Sequence, residues 1–133
     1  MMRKLPLLLV LALLSACSDA VPEASLVGSY LANHGGETAT LLLKADHTYT
    51  HTVLANGRRV EEQASTWKAT QLATSGREIT AVDFPGFVAI PSYREKEGVK
   101  AGWVSEVERT WLGQIQLCFD SDVGYCYVKQ SNS

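Results

Sequence analysis

The chain has 133 residues, of which 46% are hydrophobic, 20% charged and 8% aromatic, and its formal net charge is −2. This length and composition are those of one globular domain and argue against two independent cores. Only 12 lysine and arginine residues stand against 14 acidic ones, so the charge balance argues against nucleic-acid binding through a basic face.

The first residues have the pattern of an export signal. Arg3 and Lys4 form a short positive region, and an apolar stretch (LPLLLVLALL) covers residues 5–14. A stretch of this length matches the core of a signal peptide and is too short for a spanning helix, which needs about 20 apolar residues. We therefore expect a cleaved signal peptide over residues 1–16, whose removal makes the mature chain more acidic.

The apolar stretch ends in the most specific motif of the chain. Leu14, Ser15, Ala16 and Cys17 resemble the lipobox of bacterial lipoproteins, a branched residue and two small residues before the cysteine that is lipidated. The resemblance implies that Cys17 becomes the acylated mature N-terminus, and several acyl chains together give a stable membrane anchor. Because Ser18 and not aspartate follows the cysteine, it also implies an outer-membrane address facing the periplasm. The alternative is an ordinary signal peptide with a cysteine near its cleavage site.

After a polar tether over residues 17–25, alternating apolar and polar residues separated by turn residues predict a single β domain over residues 26–133. Asn56-Gly57 is the strongest hairpin signal. The predicted strands cover residues 26–31, 37–44, 47–55, 58 onward, 65–72, 78–83, 102–109, 110–119 and 125–129, with a further short predicted strand stretch at residues 87–90. These eight or nine short strands predict an all-β fold, a small antiparallel meander that closes into a barrel or folds as a sandwich.

The first part of this domain resembles small lipocalin-like or calycin-type barrels of the envelope. Residues 26–67 hold a Gly-x-Tyr strand, a leucine-rich strand followed by Asp-His-Thr-Tyr, an Asn-Gly turn and a Thr-Trp strand. The resemblance implies a barrel but no particular ligand.

The two cysteines that remain after Cys17 lie close together in the sequence. Cys118 and Cys126 flank a turn cluster within QLCFDSDVGYCYVK, which predicts a hairpin with both cysteines on one face. An even pair in an exported protein predicts a disulfide. A three-residue loop centred on Asp122 places them directly opposite each other, whereas a type I turn with Gly124 as a bulge makes them diagonal. The sequence does not decide between these registers.

Several short matches to catalytic or metal-binding motifs fail on geometry. His47 and His51 have the spacing of zinc ligands on a helix, but the stretch is a predicted strand, where four residues span about 13 Å. We expect them to flank Tyr49 on one sheet face. Three other matches lack the context that their motif requires: Ser65-x-x-Lys68, the Glu106 and Glu108 pair, and the Asp120-x-Asp122-x-Gly124 turn. We predict no catalytic residue, no metal site and no cofactor.

The segment over residues 83–93 (DFPGFVAIPSY) is the candidate contact site. Pro85, Gly86 and Pro91 interrupt a stretch rich in large apolar side chains. Exposed in a rim loop, these side chains would form a contact patch for a partner or ligand; the alternative is that they fill the open end of the barrel. The patch consists of Phe84, Phe87, Ile90 and Tyr93. The other large aromatic residues are predicted to lie in the core: Tyr30, Trp67, Trp103, Trp111 and Tyr127.

These features predict a non-catalytic binding or accessory lipoprotein, held in the membrane through Cys17, that contacts an envelope protein or a small apolar ligand. The alternative is an inhibitor or immunity protein against a periplasmic hydrolase or toxin, since an acidic surface speeds encounter with a basic partner. An enzyme is the third class. An interior cavity would favour the small ligand, a filled core the inhibitor, and a buried titratable cluster the enzyme.

Overall fold

A computed structural model describes residues 20–74, 76–86, 102–120 and 124–131. This part of the chain forms one antiparallel sheet of nine strands that curls into a half-barrel, which confirms the predicted all-β class. From residue 20 onward, one 3-10 turn, Glu23–Ser25, precedes the sheet. The strands are β1 Gly28–His34, β2 Glu37–Leu43, β3 Thr48–Ala55, β4 Arg58–Thr66, β5 Lys68–Thr74, β6 Arg77–Phe84, β7 Trp103–Arg109, β8 Ile115–Asp120 and β9 Tyr125–Lys129.

The strand order in the sheet is β4-β3-β2-β1-β9-β8-β7-β6-β5. Its two edge strands, β4 and β5, are consecutive in the chain and are separated by Trp67 alone. Because every neighbouring pair in this order is antiparallel, β4 and β5 run in the same direction. The chain therefore passes through Trp67 without reversing, and residues 58–74 pair first with β3 and then with β6.

The half-barrel has two ends. The tether end carries the turns over residues 44–47 and 110–114, together with residues 20–27, which lead into β1. The disulfide end carries the β1–β2 turn, the Asn56-Gly57 turn and the pair of Cys118 and Cys126. Asn56 and Gly57 have φ angles of 52° and 74°, which match the type I′ turn expected for a tight Asn-Gly hairpin.

The concave face of the sheet holds the core, as alternating burial along the strands requires. On β2, for example, Ala39, Leu41 and Leu43 are fully buried while Leu42 between them is exposed. Trp67, 2% exposed, lies at the corner between β4 and β5 and donates its indole N–H to the carbonyl of Lys44 at 3.1 Å. This bond holds the corner against the β2–β3 turn. The largest buried side chains are Trp67, Tyr30, Tyr49, Tyr125, Tyr127 and Phe84.

Part of the predicted tether packs on the sheet. The Val21 N–H donates to the Thr80 hydroxyl on β6 at 2.8 Å, and Val21 is only 5% exposed. Lys129 on β9 donates to the Ser25 carbonyl at 2.6 Å, and Leu26 is fully buried. Residues 20–27 therefore lie across the tether end of the half-barrel. None of the helical segments within the described residues has the length and apolarity of a membrane span.

One predicted strand begins later than expected. The sequence predicts a strand over residues 110–119, but β8 begins at Ile115. The N–H of Thr110 donates to the carbonyl of Gln114, and the N–H of Gly113 donates to that of Thr110, both at 2.8 Å. Gly113 has a φ of 83°, a backbone conformation that favours glycine. The five residues therefore form the β7–β8 turn.

Candidate functional site

The two cysteines at the disulfide end are bonded. The Cys118 and Cys126 sulfurs are 2.03 Å apart, and the two residues are directly opposite in the β8–β9 ladder, with Cα atoms 4.0 Å apart. The register then shifts, so that Asp120 pairs with Tyr125 and Phe119 has no opposite residue. The predicted disulfide is confirmed, and its two cysteines are directly opposite each other. This register arises from a bulge at Phe119 and not from the three-residue loop that the sequence suggested.

A chain of buried polar groups crosses the half-barrel interior. His51 on β3 is fully buried, and its Nε2 lies 2.9 Å from the hydroxyl of Tyr127 on β9. The Tyr127 hydroxyl lies 2.8 Å from that of Tyr125, two residues earlier on the same strand. Alternation explains this arrangement, because His51, Tyr125 and Tyr127 all occupy inward positions on their strands.

The environment of Tyr127 favours its neutral form. Burial, the adjacent Tyr125 hydroxyl and the charge of Glu61 all raise the pKa of Tyr127 above its ordinary value of 10.0. A tyrosine with a raised pKa holds its proton and acts as a hydrogen-bond donor. It gives no activated nucleophile and no base poised near neutral pH, since either role needs a pKa matched to the reaction. The His51, Tyr125 and Tyr127 cluster thus supplies hydrogen bonds between strands that are far apart in sequence.

Aromatic rings fill the space around this polar cluster. Phe84 on β6 stacks on Trp103 of β7 with ring centroids 4.9 Å apart and an angle of 14°. Trp103 also contacts Phe119 and Tyr127, with centroids 5.5 and 5.8 Å away, and Tyr49 meets Phe84 edge to face at 5.4 Å. Phe84, Tyr49 and Tyr127 are all fully buried. The described interior is therefore a packed aromatic core.

The two edge strands carry different charge. β4 has four charged residues, Arg58, Arg59, Glu61 and Glu62, and a register shift opposite Val53 and Leu54 on β3. β5 (KATQLAT) carries only Lys68, whose ammonium lies 3.7 Å from the Asp83 carboxylate on β6. Charges and bulges are the usual protection of an exposed edge against pairing with another strand. By this criterion β4 is protected, whereas β5 is not.

The β4 edge is close to the beginning of the predicted contact segment. Gln63 on β4 donates to the carbonyl of Gly86 at 2.6 Å and to the hydroxyl of Tyr49 at 3.2 Å. Residue 86 is the last described residue before residue 102. The chain therefore leaves β6 beside the inward face of the β4 edge.

Three of the four predicted contact residues, Phe87, Ile90 and Tyr93, lie outside the described residues, as does Cys17. The fourth, Phe84, is fully buried in the aromatic core, so its ring is not available at the surface. The contact role of the other three and the acylation of Cys17 stay predictions.

The other sequence matches occupy separate places. His47 lies in the β2–β3 turn with a φ of 66° and contacts the Glu23 carboxylate, whereas His51 is buried inside the sheet. The expectation that both histidines flank Tyr49 on one sheet face is wrong for His47, because the chain turns there before β3 begins. Among the described residues, no three His, Cys, Asp or Glu side chains lie close enough together to hold a metal ion.

The matches on β4, β5 and β7 also stay apart from the buried cluster. Glu106 and Glu108 are both exposed on β7, without the burial that a catalytic acid requires. Ser65 is half-buried near the end of β4, and Lys68 is exposed on β5, on the other side of Trp67.

Sequence reasoning missed one prominent surface feature. Trp111 was expected in the core, but it is 93% exposed, and its neighbour Leu112 is 68% exposed. Both stand at the tip of the β7–β8 turn, where no strand directs their side chains inward. The signal that could have revealed this is Gly113, since a glycine after two large residues is compatible with a turn.

No family model matches the chain, and the searches found no curated protein and no solved structure that is similar to it.

Proposed function

We propose that the protein is a non-catalytic, lipid-anchored binding lipoprotein of the outer membrane, facing the periplasm, that pairs its β5 edge with an extended strand of an envelope protein. The anchor is the acylated Cys17, as the lipobox resemblance implies. The interaction is β-augmentation, in which backbone hydrogen bonds supply affinity and alternate side chains supply specificity.

The β5 edge is the observation that carries this proposal. In the described sheet, β5 pairs with β6 on one side only, and its seven residues hold one charge. Gln71 and Ala73 are exposed, while Leu72 between them is half-buried. A strand of this composition accepts a neighbour at low cost, because beyond Lys68 at its start no charged side chain must lose its hydration when the neighbour adds.

The described interior favours a protein partner over a small apolar ligand. A ligand site needs open volume lined by apolar groups with a few polar ones. In this half-barrel the aromatic rings and the His51–Tyr127 pair contact one another, and the largest of them are fully buried. The surface, where the sheet edges lie, is thus the better candidate for recognition.

We propose that the predicted contact segment binds the same partner. The described chain before it ends at Gly86, whose carbonyl accepts a hydrogen bond from Gln63 on β4. Phe87, Ile90 and Tyr93 supply the large apolar side chains of this segment. Aromatic residues in irregular segments commonly anchor binding.

Site-specific photo-crosslinking in cells that make the full chain tests this proposal. A photoreactive residue replaces Gln71 on the β5 edge, and a matched control replaces Val104, which is 57% exposed on β7, a strand paired on both sides. We expect a discrete envelope partner from position 71 and not from position 104. Adding Ala73→Lys in the same chain should abolish the crosslink, because lysine is a natural protection of strand edges.

The outcomes separate the alternatives. Equal crosslinking from both positions, or a crosslink that Ala73→Lys leaves unchanged, would contradict pairing at the β5 edge. A partner that is a hydrolase or toxin, and whose activity falls when the purified protein is added, would select the inhibitor alternative. A partner whose activity is unaffected supports the accessory role.

A further inference from the structure

The tip of the β7–β8 turn presents the most exposed large apolar side chains of the described chain. Trp111 is 93% exposed and Leu112 is 68% exposed. Backbone hydrogen bonds between Thr110 and Gln114 and between Gly113 and Thr110 close the turn beneath them, so the tip is an ordered part of the fold. Adjacent apolar side chains held in water by an ordered turn are typical of a contact site.

This tip lies at the tether end, beside the point where the mature chain enters the fold. Ala20 and Arg109 line one shallow groove of about 340 Å³. The Arg109 guanidinium also donates to the Gly113 carbonyl at 3.1 Å, which connects the groove to the tip. Only two residues lie between Cys17 and Ala20, and an extended chain spans at most about 3.5 Å per residue step, or about 10 Å over the three steps. An acylated Cys17 therefore brings the membrane surface to this end.

We infer that Trp111 and Leu112 insert into the lipid–water interface of the membrane that holds the acyl chains of Cys17. This inference rests on the proposed lipid anchor. Tryptophan is favoured at that interface because its ring is apolar while its N–H can still bond to water or headgroups. Arg109 beside the turn places a positive charge at the level of the lipid phosphates.

Such a contact gives the anchored domain a defined orientation. The acyl chains alone hold the protein by a tether, whereas a second contact at the tip fixes the tether end against the bilayer. The disulfide end then faces away from the membrane, and the β4 and β5 edges lie between the tether end and the disulfide end. The alternative is that the tip contacts another protein, a result that would contradict the inference.

Tryptophan fluorescence can test whether the tip contacts the membrane. Trp67 and Trp103 are 2% and 8% exposed, so acrylamide quenching of fluorescence reports mainly Trp111. The full chain is expressed with its own signal, purified from membranes, checked for acylation by intact mass, and reconstituted into phosphatidylethanolamine–phosphatidylglycerol vesicles. Acrylamide quenching is compared between detergent-free vesicles and detergent micelles, and quenching by brominated phospholipids is measured in the vesicles. Trp111→Phe identifies the contribution of the tip.

A matched control moves the exposed tryptophan to the other end. Leu54 is 38% exposed near the end of β3, at the disulfide end, so Trp111→Phe combined with Leu54→Trp places a surface tryptophan away from the proposed contact. In vesicles we expect Trp111 to lose most of its acrylamide quenching and to be quenched by brominated lipid. The tryptophan at position 54 should stay accessible to acrylamide and unaffected by the lipid.

Each other result overturns the inference. Acylated protein whose Trp111 stays open to acrylamide and is not quenched by brominated lipid contradicts the tip contact while leaving the anchor intact. Shielding from acrylamide without quenching by brominated lipid indicates a protein contact instead. Equal quenching at both positions indicates unspecific adsorption. A mature chain without acyl mass overturns the anchor and this inference together.

Discussion

At the scale of single residues, the Cys118–Cys126 bond stabilises a β8–β9 hairpin that already has a bulge at Phe119. The two cysteines are eight residues apart. Closing a loop of that size lowers the entropy of the unfolded chain, which stabilises the folded protein by about 2–3 kcal/mol. The Cys118→Ala/Cys126→Ala variant should therefore have a lower urea midpoint than the wild type and keep its partner.

Reduction provides the control for this prediction. Wild-type protein treated with a thiol reductant should match the double variant, and the reductant should not change the variant further. Ready labelling of both cysteines in the unreduced native protein would show that the bond is absent.

The buried tyrosines predict a loss of stability in alkali. Burial raises the pKa of both Tyr30 and Tyr127 above the ordinary value of 10.0, so above pH 10 the unfolded chain releases these protons while the folded chain keeps them. Stability is then complete below pH 10 and falls as the pH rises further. Without the Tyr127 hydroxyl, the free energy of unfolding should fall less steeply with pH, by about 1.4 kcal/mol per pH unit.

Urea midpoints of the Tyr127→Phe variant between pH 8 and 11 test this pH dependence. Trp111→Phe is the control, because it replaces an exposed ring that does not titrate. The control should have the wild-type slope. If the stability of Tyr127→Phe fell with pH as steeply as that of the wild type, the Tyr127 hydroxyl would ionise equally in the folded and unfolded states.

At the scale of elements, the tight turns fix the strand register. Gly57 has a φ of 74°, which an L side chain adopts at a cost of about 1 kcal/mol or more. We expect Gly57→Ala to destabilise the domain by about that amount. Gly102→Ala is the control, since a Cβ there would lie 3.7 Å from the Phe84 carbonyl, an ordinary contact. Equal melting temperatures for the two variants would contradict the type I′ turn.

Most strands could be predicted because one face of the sheet is buried, which imposes alternation. β2, β6 and β9 lie within one or two residues of their predicted bounds. The turn over residues 110–114 was missed because Trp111 lies in phase with Ile115 and Leu117, so that a strand pattern runs through Gly113. The junction at Trp67 was also missed, since a strand that continues through a corner has no turn residue.

The site could be predicted only where its parts are close in sequence. The disulfide follows from eight residues of local pattern, but its bulged register depends on how β8 and β9 twist together. His51 and Tyr127 are 76 residues apart, and only the curling of the sheet brings them into contact. The open edge of β5 is likewise a property of strand order, which the sequence does not specify.

At the scale of the whole molecule, the two ends of the half-barrel have separate roles in the proposed function. The tether end holds the start of the described chain at Ala20 and the exposed Trp111, and we assign it to the membrane. The β4 and β5 edges lie along the side of the half-barrel, where a strand of an envelope partner can approach. Both assignments depend on the same prior event, the acylation of Cys17.

Intact mass spectrometry of the membrane-purified mature protein tests that event most directly, with Cys17→Ala as the matched variant. We predict that the wild-type mature chain begins at Cys17, carries added acyl mass and fractionates with membranes, while Cys17→Ala accumulates as a longer, unlipidated precursor. Equal processing of the two proteins, or a wild-type mature chain without acyl mass, would contradict the lipid anchor.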